Sequence, residues 1–364
     1  MSLLARALGR NPSSAPPNKK RINIALQGGG AYGAFTWGVL DHLLADGRLE
    51  IDGISGTSAG AVNAVMLADG LGKGGTEGGA DEARKRLAEF WRAASLGGDL
   101  PAVQRAVTDR LFSLVPLSNN PAQAWITAWA AFFSPYDFNP LNINPLKDLI
   151  ERFVDFEALR TGAREIFIAA TNVQTGRLHV FSRSTLTAEV VMASACLPTL
   201  FRAVEIDGKP YWDGGYTGNP VVSPFFRATE TEDLLIIQIN PLKRNKVPHS
   251  NSEIMSRVQE ISFNSALLAE LRGVAFINRL IDEGRLPHDT NGSGFRRIKV
   301  HRIVLSGLGD RLSLSSKLRT DFESFELLRK LGQRATRRFL DANFDAIGAR
   351  SSVDLDAEME TEWG

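Results

Sequence analysis

The chain has 364 residues, 43% of them apolar, so it can bury a substantial core; 42 basic against 41 acidic side chains leave a formal charge of +1. That balance gives no general case for nucleic-acid binding, and the single cysteine, Cys196, excludes an intramolecular disulfide and a four-cysteine metal site. Length alone would suggest two or three domains, but the order of elements points to one large α/β unit with insertions.

Residues 1–20 read as a flexible basic arm, with Arg6, Arg10, Lys19 and Lys20, and lack the uninterrupted apolar core of a secretory signal. INIALQ then reads as a buried strand, broken by Gly28, Gly29 and Gly30. The following AYGAFTWGVLDHLLADG spaces Phe35, Val39, Leu40, Leu43 and Leu44 as a helix does, with Gly47 near its stop. LEIDGIS is a second short strand, and GTSAGAVNAVMLADG opens on a glycine turn and continues as a small-residue helix. Two successive strand–turn–helix units favour a largely parallel sheet covered by helices.

Six glycines between Asp69 and Ala83 predict an exposed flexible connection, followed by a helix over 81–91. In 121–140, Trp125, Trp129, Phe132 and Phe133 form an apolar helical stripe. Its ordinary role is core packing; the sharper reading is a lid or acyl-chain groove, placed as an insertion at 100–145. NINPLKDLIERF starts another helix, with Asn144 suited to the cap and Pro145 to the first position. REIFIAATNV reads as a strand turning into a hairpin through TGRLHVF, TAEVVMASACLP as a short helix stopped near Pro198, and DLLIIQINP as a central strand. A long helix around 254–282, a strand in RRIKVHRIVL and a basic amphipathic helix near 320–340 complete the unit, taken as 21–345. Residues 346–364, with Asp354, Asp356, Glu358, Glu360 and Glu362, read as an acidic tail. No segment reaches the roughly 18–20 apolar residues of a membrane span, so a cytoplasmic protein is expected, with peripheral membrane association or signal-independent secretion as alternatives.

The first chemical signal is Ser58 in GTSAG, a G-x-S-x-G turn between a strand and a helix. Such a turn projects the hydroxyl away from its neighbours, and the helix start lends positive backbone dipoles to a developing oxyanion. The second is QGGGAYGAF. Adjacent glycines can present backbone N–H groups to an anion, so phosphate is a competitor. GGGAYG nevertheless lacks the lysine and hydroxyl residue of a Walker loop and the spacing of a dinucleotide fingerprint. An oxyanion hole fits better, with Gly28, Gly29 and Gly30 as candidates, Ala59 as a donor from the serine turn, and Tyr32 at the mouth. A Ser–His–acid order would need a late histidine; His249, His288 and His301 qualify only by position, and His42 and His179 are local structural candidates. YWDGGYTGNP offers Asp213 instead, before two glycines expected to expose its carboxylate. Its ordinary pKa makes it a weak base, so its surroundings must raise it.

Jointly these blocks resemble the patatin-like phospholipase family: GGGAYG its oxyanion loop, GTSAG its nucleophile turn, ASACLPTLF an intervening block with Pro198 at a turn near the pocket, and DGGYTGNP its aspartate block. The resemblance implies a three-layer α/β/α fold with a mostly parallel central sheet and a Ser58–Asp213 dyad. It also implies hydrolysis of fatty-acyl esters of phospholipids, lysophospholipids or related lipids, without metal or cofactor. Asn219 matches a polar position expected to shape the aspartate turn. Many relatives carry a basic residue where this chain has Tyr32, a departure that bears on headgroup preference more than on acyl hydrolysis. The competing readings are an acyltransferase to a non-water acceptor and a catalytically silent lipid-binding or membrane-interaction module.

Overall fold

The computed structural model describes residues 19–95, 145–198, 201–288, 295–306, 321–355 and 357. The expected lid or groove with its aromatic stripe, most of the amino-terminal arm, and the helix cap expected at Asn144 lie outside the described residues.

The strands are β1 (Lys20–Leu26), β2 (Leu49–Gly56), β3 (Glu165–Asn172), β4 (Leu178–Ser182), β5 (Val204–Ile206), β6 (Lys209–Asp213), β7 (Asp233–Gln238) and β8 (Lys299–Val304), all in one sheet. Its order is β5-β6-β3-β2-β1-β7-β8, with β4 paired to β3. The run β3-β2-β1-β7-β8 is parallel, and β4, β6 and β5 add antiparallel pairings at one side. Parallel neighbours need a crossover, and helices supply it. The described helices are α1 (Gly33–Asp46), α2 (Ala59–Lys73), α3 (Gly75–Ala93), α4 (Pro145–Phe153), α5 (Phe156–Thr161), α6 (Ala188–Ser194), α7 (Phe225–Ala228), α8 (Asn251–Asp282) and α9 (Phe322–Asn343).

The central strands are apolar almost throughout because both faces are covered. Along β1, Ile22, Ile24 and Leu26 enter a core shared with α1, α2, α3, α6 and α9. Ala25 faces the opposite core, built with Leu267, Leu271 and Val274 of α8. β7 alternates in the same way, with Leu235 and Ile237 on the first face and Leu234 and Ile236 on the second. Two cores separated by one sheet make the chain a three-layer α/β/α fold.

The glycine-rich stretch expected as an exposed connection is instead an antiparallel pair of helices. α2 continues through Lys73 and α3 starts at Gly75. A Cβ on Gly70 would stand 2.3 Å from the Cα of Ala83; here glycine lets two backbones touch. The pair is tied by Asp69, whose buried carboxylate meets Arg86 at 2.7 Å and Lys73 at 3.3 Å and accepts the Asp155 N–H at 2.9 Å. At the other boundaries, Lys20 already belongs to β1 and its Nζ donates to the carbonyls of Phe344 and Ile347, both at 2.8 Å. Residues assigned by sequence to the acidic tail are held on the sheet: Ile347 and Leu355 are buried, and the Ser352 N–H donates to Val300 O at 3.0 Å.

Candidate active site

The serine turn forms where β2 ends at Gly56 and α2 begins at Ala59. Ser58 has φ 55 and ψ −123, a backbone region costly for a residue with a side chain. The strain is held by the neighbours. The Thr57 N–H donates to Leu26 O at 3.2 Å, the Thr57 hydroxyl to Gly218 O at 2.7 Å, and the Ser58 N–H to the Ser194 hydroxyl at 2.9 Å. Gly60 allows the turn to lie against β1, since a Cβ there would stand 2.1 Å from Leu26 O. Ser58 is 8% exposed.

Sheet register brings the aspartate to this turn. β3 pairs with β2 through Ile168 opposite Gly56, and two residues further on Ala170 lies opposite Asp213. β4 occupies the other side of β3 through these same residues, so β2 and β6 share one side of β3, end to end. The carboxyl is therefore set just beyond the strand that delivers the serine. The Asp213 N–H donates to Cys196 O at 2.8 Å, and its carbonyl accepts from the Thr171 hydroxyl at 2.8 Å.

Contrary to the expectation of an exposed carboxylate, Asp213 is 0% exposed. The two glycines fold its chain inward: Oδ1 accepts the Gly215 N–H at 2.7 Å, and the ring of Phe263 closes over Gly215. Among the described residues, Oδ2 has no partner at normal hydrogen-bond geometry. Burial pushes the carboxyl pKa up to about 7, against the opposing pull of the Gly215 N–H and, more weakly, the Ser58 side chain. A base half ionised near neutrality, with one oxygen uncommitted and a serine hydroxyl beside it, can accept a proton.

The triglycine loop divides into a support and a mouth. Gly28 abuts the serine turn, where an added Cβ would lie 2.7 Å from the Ser58 Cβ. However, its N–H donates to Asn219 Oδ1 at 2.6 Å and its carbonyl accepts from Asn240 Nδ2 at 2.7 Å. Gly28 is therefore a fixed point of the loop, and the expectation of an anion-binding N–H there is corrected. Gly30 takes φ 58 and opens a short 3-10 turn, Gly30–Tyr32. Among the described residues no acceptor takes the N–H of Gly29 or Gly30, nor that of Ala59 at the first position of α2, as the geometry of helix starts requires. Tyr32, expected at the mouth, is 2% exposed and packs in the core of the α1 face. Pro198 is half-buried beyond α6, and Asn219 is fully buried as a strut between the aspartate block and Gly28.

Sequence reasoning missed the scaffold under these groups. Ser194 ends α6 and accepts the Ser58 N–H; its place in ASACLPTLF was the available signal. Gln27, just before the glycines, accepts the N–H groups of Ile239 and Asn240 on Oε1, both at 2.8 Å, and donates to Asn264 Oδ1 at 2.9 Å. Four of the five histidines make contacts elsewhere. His301 lies between Asp233 and Ser352, His288 contacts Glu232, and the His249 N–H caps onto Glu253. His179 packs edge-on against Phe181 and tilted against Tyr211. Cys196 is buried, its thiol donating to Arg202 O at 2.9 Å and its pKa pushed up to about 12 by burial and by Asp213. Among the described residues, no three His, Cys, Asp or Glu gather as metal ligands would, and no helix is long and apolar enough to cross a membrane.

A family model described as patatin-like phospholipase matches residues 24–226. Among solved structures, the chain is similar to VipD from Legionella pneumophila, at 17% identity and TM-score 0.37, covering 90% of this chain and 68% of that one. It is also similar to the type III effector protein ExoU, at 17% identity and TM-score 0.35, covering 90% of this chain and 54% of that one. A third similarity is to the ExoU–SpcU complex of the Pseudomonas aeruginosa type III secretion system, at 16% identity and TM-score 0.34, covering 92% of this chain and 53% of that one. The chain spans about half the length of ExoU. No curated protein matches it.

Proposed function

Because the chain belongs to the patatin-like phospholipase family, we propose that it hydrolyses fatty-acyl esters of phospholipids or related lipids through an acyl-enzyme on Ser58, with Asp213 as the base. One observation carries this reading: a serine at φ 55 on a helix start, beside a fully buried carboxyl whose Oδ2 is uncommitted and whose pKa is raised to about 7.

Ser58 Oγ attacks the ester carbonyl while Asp213 Oδ2 takes its proton. The N–H groups of Gly29, Gly30 and Ala59 receive the oxyanion, each such donor being worth roughly 3–4 kcal/mol of barrier. When the intermediate collapses, the ester C–O bond breaks and Asp213 returns the proton to the leaving alcohol. Water then attacks the acyl-serine by the same route, regenerating Ser58 and releasing the fatty acid. A pKa near 7 serves both halves, since the group must accept and give the proton at one pH. Gly28, Asn219, Gln27 and Ser194 act as positioning residues that keep donors and nucleophile in register.

Intact-mass spectrometry with a panel of phospholipid, lysophospholipid and neutral esters tests the proposal. An acyl adduct mapping to Ser58, absent in S58A, together with free fatty acid as product, is expected. Equal turnover by wild type and S58A overturns it. Acyl transfer to an added alcohol in preference to water would make the protein an acyltransferase, and lipid binding with no Ser58-dependent turnover would make it a binding module.

A further inference from the structure

Among the described residues, six of the nine exposed large apolar side chains lie on α8 or in the loop before it. Val247, in the loop before α8, is 74% exposed, and along α8 Ile254, Met255, Val258, Ile261 and Phe276 are all exposed. Apart from Met255, the helical ones recur at intervals of three and four and continue through exposed Ser265, Ala269 and Arg272, so they form one stripe along α8. The opposite side of the same helix is committed to the site already described: the Phe263 ring covers Gly215, and Asn264 accepts from Gln27. One helix diameter, about 10 Å, therefore separates the stripe from the Asp213 turn. Tyr216, at the end of the Asp213 turn, is exposed and packs edge-on against Phe263 of α8.

The charge of this face is set by what α8 does with its carboxylates. Glu253 is held by the N–H groups of His249 and Ser250 in the capping box. Glu260 is buried against Arg244 at 2.5 Å and near Arg257 at 3.4 Å. Glu270 turns inward to accept the N–H groups of Val222 and Ser223 at 2.7 and 2.8 Å. Asp282 pairs with Arg297 at the far end. Exposed Lys243 and Lys246 flank the helix start, and exposed Arg272 stands on the stripe itself. The result is an apolar ridge with basic side chains around it, its mid-helix acids Glu260 and Glu270 turned inward and Glu253 and Asp282 held at its two ends, a surface complementary to an anionic lipid interface and unlike the ordinary polar face of a surface helix.

We propose that this face of α8, with the Val247 loop, lies on anionic bilayers and carries the Ser58–Asp213 site to the lipid. The proposal deepens the acyl-hydrolase reading and rests on it for the choice of substrate. The binding step stands on the surface alone.

The test uses the full chain carrying S58A, sedimented with vesicles of phosphatidylcholine alone or with 30% phosphatidylserine, and compares it with the same chain also carrying I254E, V258E and I261E. The S58A chain is expected to partition onto the serine-lipid vesicles and to be released by high salt, with the triple variant losing at least tenfold of the bound fraction. On the Ser58 background, the triple variant should lose vesicle hydrolysis while keeping turnover of a soluble short-chain ester. Unchanged circular dichroism and melting would show that it remains folded; if it does not fold, the single variants V258E and I261E replace it. No vesicle binding by the S58A chain, or binding indifferent to the substitutions, overturns the proposal. So does a dimer by light scattering that the substitutions dissolve, because the face then serves a second copy. Loss of soluble-ester turnover in the wild type would overturn the hydrolase reading instead, leaving the vesicle result to stand by itself.

Discussion

The raised pKa of Asp213 makes a stability prediction independent of any substrate. In the folded chain this carboxyl keeps its proton up to about pH 7, against an ordinary value of 3.8; between these values the unfolded chain releases a proton that the folded one retains. Stability therefore falls as pH rises from about 4 to about 7, and the loss is complete above the folded value. At 1.36 kcal/mol per pH unit the gap is worth about 4 kcal/mol. D213N removes the ionisation while its amide oxygen can still accept the Gly215 N–H and its NH2 can donate to Ser58 Oγ. The variant should therefore be more stable than the wild type by up to about 4 kcal/mol at pH 8, with the advantage fading towards pH 4–5. Urea denaturation at pH 5 and pH 8 measures it, using the midpoint at constant slope. A difference between the two chains that does not change with pH would refute the burial argument, and with it the account of how this aspartate becomes a base. The same pKa predicts that kcat/KM rises about tenfold per pH unit below 6 and levels above 8, whereas D213N should lose about 100-fold to 10,000-fold of turnover.

Other sites test other parts of the construction. Ser58→Gly should abolish turnover yet stabilise the fold by about 1 kcal/mol in calorimetry, because φ 55 is strained for serine and free for glycine. Ser194→Ala leaves the buried Ser58 N–H without its acceptor; a loss of about 1–3 kcal/mol in urea midpoint and a lower kcat at similar KM are expected. Gly70→Ala should destabilise by about 1–3 kcal/mol by forcing α2 and α3 apart, read from the thermal midpoint. Cys196, with its thiol pKa near 12 and no exposure to speak of, should resist iodoacetamide in the native chain and react on unfolding.

What the sequence determined by itself was the periodic and the local. Buried strands, amphipathic helices and turn glycines act within a few residues, so β1, β2, β7, α1 and α8 were legible, as were the serine turn and the aspartate block. Tertiary structure decided what depends on residues distant in the chain. Composition made 69–83 look like a linker, but the pressure of Ala83 against Gly70 makes it two packed helices. Gly28 looked equivalent to Gly29 and Gly30 until Asn219, 191 residues away, took its N–H. Asp213 looked exposed on a glycine turn until β3 set it beyond the end of β2 and Phe263 covered its loop. Burial and hydrogen-bond commitment are properties of assembled neighbours, and these turned a common carboxyl into one that titrates near 7.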